Sequence, residues 1–161
     1  MVVVTGASVI IYQVESYSAA LDDLKEIYPE HYEELAANKS SVKLNVNYAK
    51  YSQLESLGML HLVTVRKDGL LAGYHLSMIS PHLHYVDSLT CFTDIFFVRQ
   101  QYRKEQNGMI GLKLFKFMEE SLREKGVQRI YMGTKLHLDI GPILERLGYS
   151  PIERLYTKMI G

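Results

Sequence analysis

The sequence has one cysteine, Cys91, and no tryptophan. A lone thiol cannot close an internal disulfide, and it cannot supply a cysteine-based metal cluster. Only four prolines are present, and no Pro- or Gly-rich linker divides the 161 residues, so a single domain over 1–161 is expected. Neither sign of charge prevails: Lys plus Arg and Asp plus Glu both number 18, for a formal net charge of zero. That balance removes the broad electrostatic case for coating nucleic acid or an anionic membrane. Long hydrophobic runs are missing too. The apolar start "MVVVTGASVIIYQVE" lacks a basic leader and is too short to cross a bilayer, so it reads as the first strand of the fold. Together with the single cysteine, this predicts a cytoplasmic protein.

What is present is an ordinary globular balance, 47% hydrophobic and 22% charged, arranged in two rhythms. Residues 8–14, "SVIIYQV", are β-branched and aromatic and predict a strand. Tyr17, Ala20, Leu21, Leu24 and Ile27 recur at helical spacing, with Ser16 or Ser18 as cap, and Pro29 predicts the start of a second short helix. "NVNYAKYSQLESLG" predicts a further helix ended by Gly58. "MLHLVTVRKDGLLAGYHLSMIS" predicts a hairpin turning at "KDG", and 83–98 is another extended run. Ile110, Leu114, Phe117, Met118 and Leu122 place a helix over 109–125 that Gly126 stops. "QRIYMGT" then reads as a strand, "LDIGPILERLG" as a short helix and "IERLYTKMI" as a closing strand. The order describes a mixed α/β (α+β) domain on one sheet.

Between the strand ending at Val98 and the helix stand Arg99, Arg103, Lys104, Gln106, Asn107, Gly108 and Gly111. A helix start leaves N–H groups unpaired and carries partial positive charge, and glycine lets the backbone approach a ligand. The combination suits an anion, a pyrophosphate above all. It is neither a P-loop nor the dinucleotide Gly-x-Gly-x-x-Gly, and such a loop is also ordinary punctuation.

Strand, basic loop, "QNGMIG", amphipathic helix, strand, short helix, "LERLGY" and a last strand together resemble the GNAT N-acetyltransferase superfamily. The family's acyl-CoA loop follows Gln/Arg-x-x-Gly-x-Gly/Ala. Gln106, Asn107, Gly108, Met109, Ile110 and Gly111 match it, except that Met109 replaces the middle glycine. The loop is also longer than usual, so either Arg103 or Gln106 leads it. "HYEELAANK", "HLHY" and the chain's ending are similar to small stand-alone members carried by bacteriophages.

The resemblance implies a central, mostly antiparallel sheet of six to seven strands with about four helices, splayed between the fourth and fifth strands. It implies acetyl-CoA as co-substrate and a small-molecule or protein amine as acceptor, with no metal. Phe96, Phe97 and Val98 would pair with the pantetheine arm, and N–H groups from Gln106 to Leu112 would hold the pyrophosphate. Asp94 would take the amine's proton, directly or through water. Where the family places a tyrosine acid, this chain has Leu144, so Tyr131, Tyr149 or solvent would protonate the thiolate. His137 stands at the family's asparagine position, facing pantetheine or the acceptor pocket. Glu33 and Glu34 would attract a cationic amine. His82 and His84 in "PHLHY", read as alternate strand residues on one face, suggest an acceptor wall more than a metal site. GNAT domains often pair through their last strands, which makes a homodimer an expectation. A catalytically silent, partner-binding module is the rival reading. Nucleic-acid binding through Arg99, Arg103 and Lys104 is disfavoured by the neutral charge.

Overall fold

The computed structural model describes residues 1–5 and 8–160. Six strands form one sheet in sequential order: β1 Val2–Thr5, β2 Ser8–Glu15, β3 Leu60–Lys67, β4 Leu70–His82, β5 Tyr85–Val98 and β6 Arg129–Tyr131. Every neighbouring pair is antiparallel except β5 and β6, which are parallel. The helices are α1 Tyr17–Leu35, α2 Tyr48–Ser56, the single turn α3 Glu105–Gly108, α4 Ile110–Glu124 and α5 Gly141–Arg146, with a 3-10 turn at Gln100–Tyr102.

The β3–β4 hairpin turns on Asp68 and Gly69, both left-handed at φ 51° and 85°. Two successive left-handed residues give the turn whose twist matches that of paired strands. Asp68 is held there because its carboxylate accepts from Val9 N–H at 2.8 Å and Ser8 Oγ at 3.0 Å.

Both faces of the sheet are covered. On one, α1 lays Tyr17, Ala20, Leu24 and Ile27 against Leu62, Tyr74, Leu76 and Phe97. On the other, α4 sets Leu114, Met118 and Leu122 against Val63, Val65 and Ala72. Each large apolar side chain so buried contributes about 1.5–3 kcal/mol, which is what clamps the helices to the sheet.

Four expectations are corrected. The apolar start forms two strands, so the splayed pair becomes the fifth and sixth in order. Pro29 lies inside α1 and begins no new helix. A proline there costs about 3 kcal/mol, but the buried stripe runs through it on Tyr28 and packed Leu35 and holds one continuous helix. His82 ends β4 and His84 sits in the turn before β5, so they are not alternate residues of a strand. Finally, 152–160 form no strand. Leu155 is 85% and Ile160 92% exposed; a strand needs an edge to pair with, and β6 offers only three residues.

Candidate functional site

β5 and β6 pair only at Thr90–Arg129, Cys91–Ile130 and Phe92–Tyr131. There β6 ends, while β5 runs on to Val98 along β4. The edge of residues 93–98 that faces away from β4 therefore has no neighbouring strand among the described residues. The divergence begins with a bulge. Leu76 pairs with Ile95 and Ser77 with Thr93, leaving Asp94 without a partner across the ladder. An extra residue re-aims side chains, and the exposed Asp94 carboxylate meets the Tyr51 hydroxyl of α2, which donates to it. Tyr51 in turn stacks on Tyr17 with ring centroids 4.9 Å apart. Burial, reinforced by the hydrogen bond to Asp94 and its negative charge, raises the Tyr51 pKa. The phenol keeps its proton and remains a donor.

At the far end of β5 the chain turns into α4. Gln106, Asn107 and Gly108 are left-handed in succession, at φ 53°, 57° and 79°. Gly108 N–H returns to Lys104 O at 3.2 Å and Met109 N–H to Gln106 O at 3.2 Å, while Lys113 N–H caps onto Met109 O at 2.9 Å. Among the described residues, no turn or loop carbonyl accepts from the N–H groups of Ile110, Gly111 and Leu112. They open a helix of 15 residues, and its dipole adds to their pull on an anion. A Cβ on Gly111 would stand 4.0 Å from Phe96 and Val98, so the start of α4 lies over the unpaired end of β5.

Two polar side chains of this loop, Arg103 and Gln106, turn back onto the protein. Gln106 Oε1 accepts from Tyr12 OH at 2.9 Å, and burial pushes the Tyr12 phenol up to about 12, so it stays a donor. Arg103 donates to Val98 O at 2.8 Å and to both carboxylate oxygens of Glu34, at 2.6 and 2.7 Å. Arg99 lies 3.3 Å from Glu30. His137, in the segment after β6, bonds Glu34 O at 3.0 Å. The end of α1 thus ties the loop after β5 to the segment after β6, across the opening.

Behind the opening, on the α4 face, lies a polar patch in the core. His75 Nε2 bonds Thr93 Oγ1 at 3.0 Å, and His61 Nε2 bonds Ser121 Oγ at 3.1 Å. Burial lowers His75 to about 3; burial and then the charge of Lys125 lower His61 to about 4.

No protein-family model matches the sequence, and no curated protein matches it either. Solved structures do. A transcriptional regulator from Bacillus halodurans C-125 superposes with TM-score 0.73 at 17% identity, over 93% of this chain and 100% of that one. An aminoglycoside N-acetyltransferase in complex with CoA gives 0.68 at 17%, over 98% and 99%. Glucosamine-6-phosphate N-acetyltransferase from Arabidopsis thaliana gives 0.66 at 13%, over 94% and 99%. The chain has the GNAT fold.

Within the GNAT fold the residues read from the sequence are placed as follows. Asp94, Phe96, Phe97 and Val98 share the diverging end of β5, and Gly108 to Leu112 the turn into α4. Phe96 stacks on Phe115 at 4.0 Å and Phe97 is buried under α1. The exposed Met109 side chain stands just before the free N–H groups. Tyr131 stacks flat on Phe92 at 4.8 Å, at the last paired rung. Tyr149 packs into the α4-side core, away from Asp94 and Tyr51, and its buried hydroxyl has no partner among the described residues. Glu33 pairs with Lys39 at 3.1 Å and Glu34 is taken by Arg103. His82 and His84 lie at the hairpin tip with ring centroids 5.9 Å apart, and the described residues hold no cluster of three metal-ligating side chains. Sequence reasoning missed Tyr51 and Tyr12. Each is one of twelve tyrosines, and only the packing of α2 and β2 singles them out.

Proposed function

We propose that this protein is an acetyl-CoA-dependent N-acetyltransferase acting on a primary amine by direct attack in a ternary complex. The observation that carries the reading is the juxtaposition of a β5 edge free from residue 93 onward with the unpartnered N–H groups opening α4 and with the bulged Asp94 between. Those N–H groups suit a pyrophosphate, and the free edge suits the amides of a pantetheine arm; the donor set fits acetyl-CoA. Bound there, acetyl-CoA supplies an activated acyl carbon. Asp94, oriented by Tyr51, takes a proton from the amine, directly or through water, as nitrogen attacks that carbon. Backbone N–H groups at the bulge polarise the thioester carbonyl. The C–S bond breaks as the C–N bond forms, and Tyr131, at the apex of the opening, protonates the departing thiolate, as solvent can also do. His137 and Glu34 close the mouth from the α1 side. The acceptor is an amine-bearing small molecule or protein, and the chain works as an enzyme of the cytoplasm and pairs as a homodimer.

Purified protein titrated with acetyl-CoA by calorimetry is expected to bind with micromolar affinity. Asp94→Asn should lower acetyl transfer by about 100-fold and leave that affinity unchanged. A rate equal to wild type at every pH would remove Asp94 from the mechanism.

A second reading rests on Leu144, which fills the family's tyrosine position with a buried side chain that has no acidic proton to donate. In it the domain binds acetyl-CoA and a protein partner without turnover. Amine-dependent release of thiol from acetyl-CoA would end that reading.

A further inference from the structure

Beyond the helices, the face of the sheet that carries Asp94 stays open. Met78 and Phe92 are 39% and 37% exposed there, and Tyr85 57%. Phe92 and Tyr131, from opposite sides of the last paired rung, stack face to face, 3° from parallel with ring centroids 4.8 Å apart. Arg129 stands over Tyr131 and Tyr85, its guanidinium carbon 5.9 and 5.7 Å from the two ring centroids. It spends one donor on Tyr131 OH, at 3.1 Å, and forms no ion pair among the described residues. That is unlike Arg66, Arg99 and Arg103, each matched to a glutamate. Two aromatic faces hold the cation in place and leave its remaining N–H donors turned to solvent.

Arg129 pairs with Thr90, four residues before Asp94 on the same strand. At about 3.3 Å per residue the two positions are about 13 Å apart along the strand direction, with the stacked Phe92–Tyr131 pair on the rung between them. A carboxylate, an apolar aromatic pair and a guanidinium form a ruler for one kind of molecule. We propose that the acceptor carries, at the far end from its amine, an oxyanion that Arg129 grips, and an apolar or planar body that lies on Phe92 and Tyr131. Arg129 is then a specificity-determining residue. The guanidinium fork suits phosphate and carboxylate alike. This inference rests on the acetyltransferase reading, because that reading makes Asp94 the amine end.

The test measures binding, not turnover, so its failure is separate from failure of the acetyl-CoA titration. Aminooctyl phosphate, aminooctanoate and aminooctanol share an amine and a chain that spans the ruler, and they differ only at the far end. Wild-type protein titrated with each is expected to bind the better oxyanion about tenfold more tightly than the alcohol. Which oxyanion binds better identifies the acceptor's terminal group. Arg129→Leu should reduce the preference to less than about twofold, and Arg129→Lys should restore part of it. Arg123→Leu, which removes an exposed cation on α4, should leave it intact. Equal binding of the alcohol and both oxyanions by wild type, or a preference that survives in Arg129→Leu, would overturn the proposal. So would failure of wild type to bind any of the three.

Discussion

Acidification should destabilise this protein above the pH at which its carboxylates titrate, and the cause is His61 and His75. Both are buried, each with one ring nitrogen bonded and the other, Nδ1, unpartnered among the described residues. In the folded chain burial keeps them neutral down to about 4 and about 3, whereas an unfolded chain protonates them near 6.5. The unfolded state therefore binds more protons below about 6.5, and stability rises with pH across that window. Above about 6.5 the contribution is complete; it is lost as pH falls towards the folded values. At 1.36 kcal/mol per unit for each proton, the drop from pH 6.5 to 5 costs about 2 kcal/mol per imidazole, or about 4 kcal/mol for the pair. His31, lowered by burial, acts in the same direction. The depressed carboxyls Glu15 and Asp68 come into play only below their unfolded values of 4.5 and 3.8. Urea unfolding followed by circular dichroism reads this directly. With a slope of about 2 kcal/mol per molar, the midpoint should fall by roughly 2 M between neutral pH and pH 5. His75→Gln should remove somewhat less than half of the pH dependence, and a His61→Gln/His75→Gln double variant most of it, leaving the share of His31. A midpoint flat with pH in wild type would refute the reasoning, as would a double variant that keeps the full slope.

Gly111→Ala should leave acetyl-CoA affinity close to wild type, because its Cβ meets only ordinary contacts at 4.0 Å, whereas Gly111→Trp fills the start of α4 and should abolish the calorimetric signal. Tyr51→Phe removes the donor that orients the Asp94 carboxylate. Steady-state kinetics should show a several-fold rather than complete loss of rate, with acetyl-CoA affinity unchanged by calorimetry. Gly73→Ala would place a Cβ 2.7 Å from the backbone oxygen of Phe97. It should cost about 1–3 kcal/mol, measured by thermal unfolding, and would loosen the strand that supports the diverging end of β5.

The parts of the fold legible in the sequence were those fixed by local pattern. The α4 stripe, the "KDG" turn and the long run of β5 each announce themselves within a dozen residues, and the loop glycines marked the helix start. Long-range competition decided the rest. Pro29 carries a strong local stop signal, overruled by burial that continues on both sides of it. "IERLYTKMI" has strand composition, but a strand exists only where another edge receives it. In the site, Asp94 stood out as an acid in an apolar run. Its partner Tyr51 lies 43 residues away, and nothing near it in the chain marks that meeting. Arg103 looked like a ligand-facing cation because its neighbours in sequence are polar; its nearest neighbour in space is Glu34.

That last pairing sets how an incoming polyanion experiences the molecule. With Arg99 held by Glu30, Arg103 by Glu34 and Lys67 by Glu105 at 2.5 Å, three of the cations around the turn into α4 are neutralised. Lys104 and Lys113 are left without an ion pair among the described residues, so long-range steering of a phosphate-bearing molecule rests on those two and is modest. Most of the attraction begins at contact, with oriented N–H groups whose reach is a hydrogen bond. The encounter rate should therefore change little with ionic strength, while the lifetime of the complex carries the affinity.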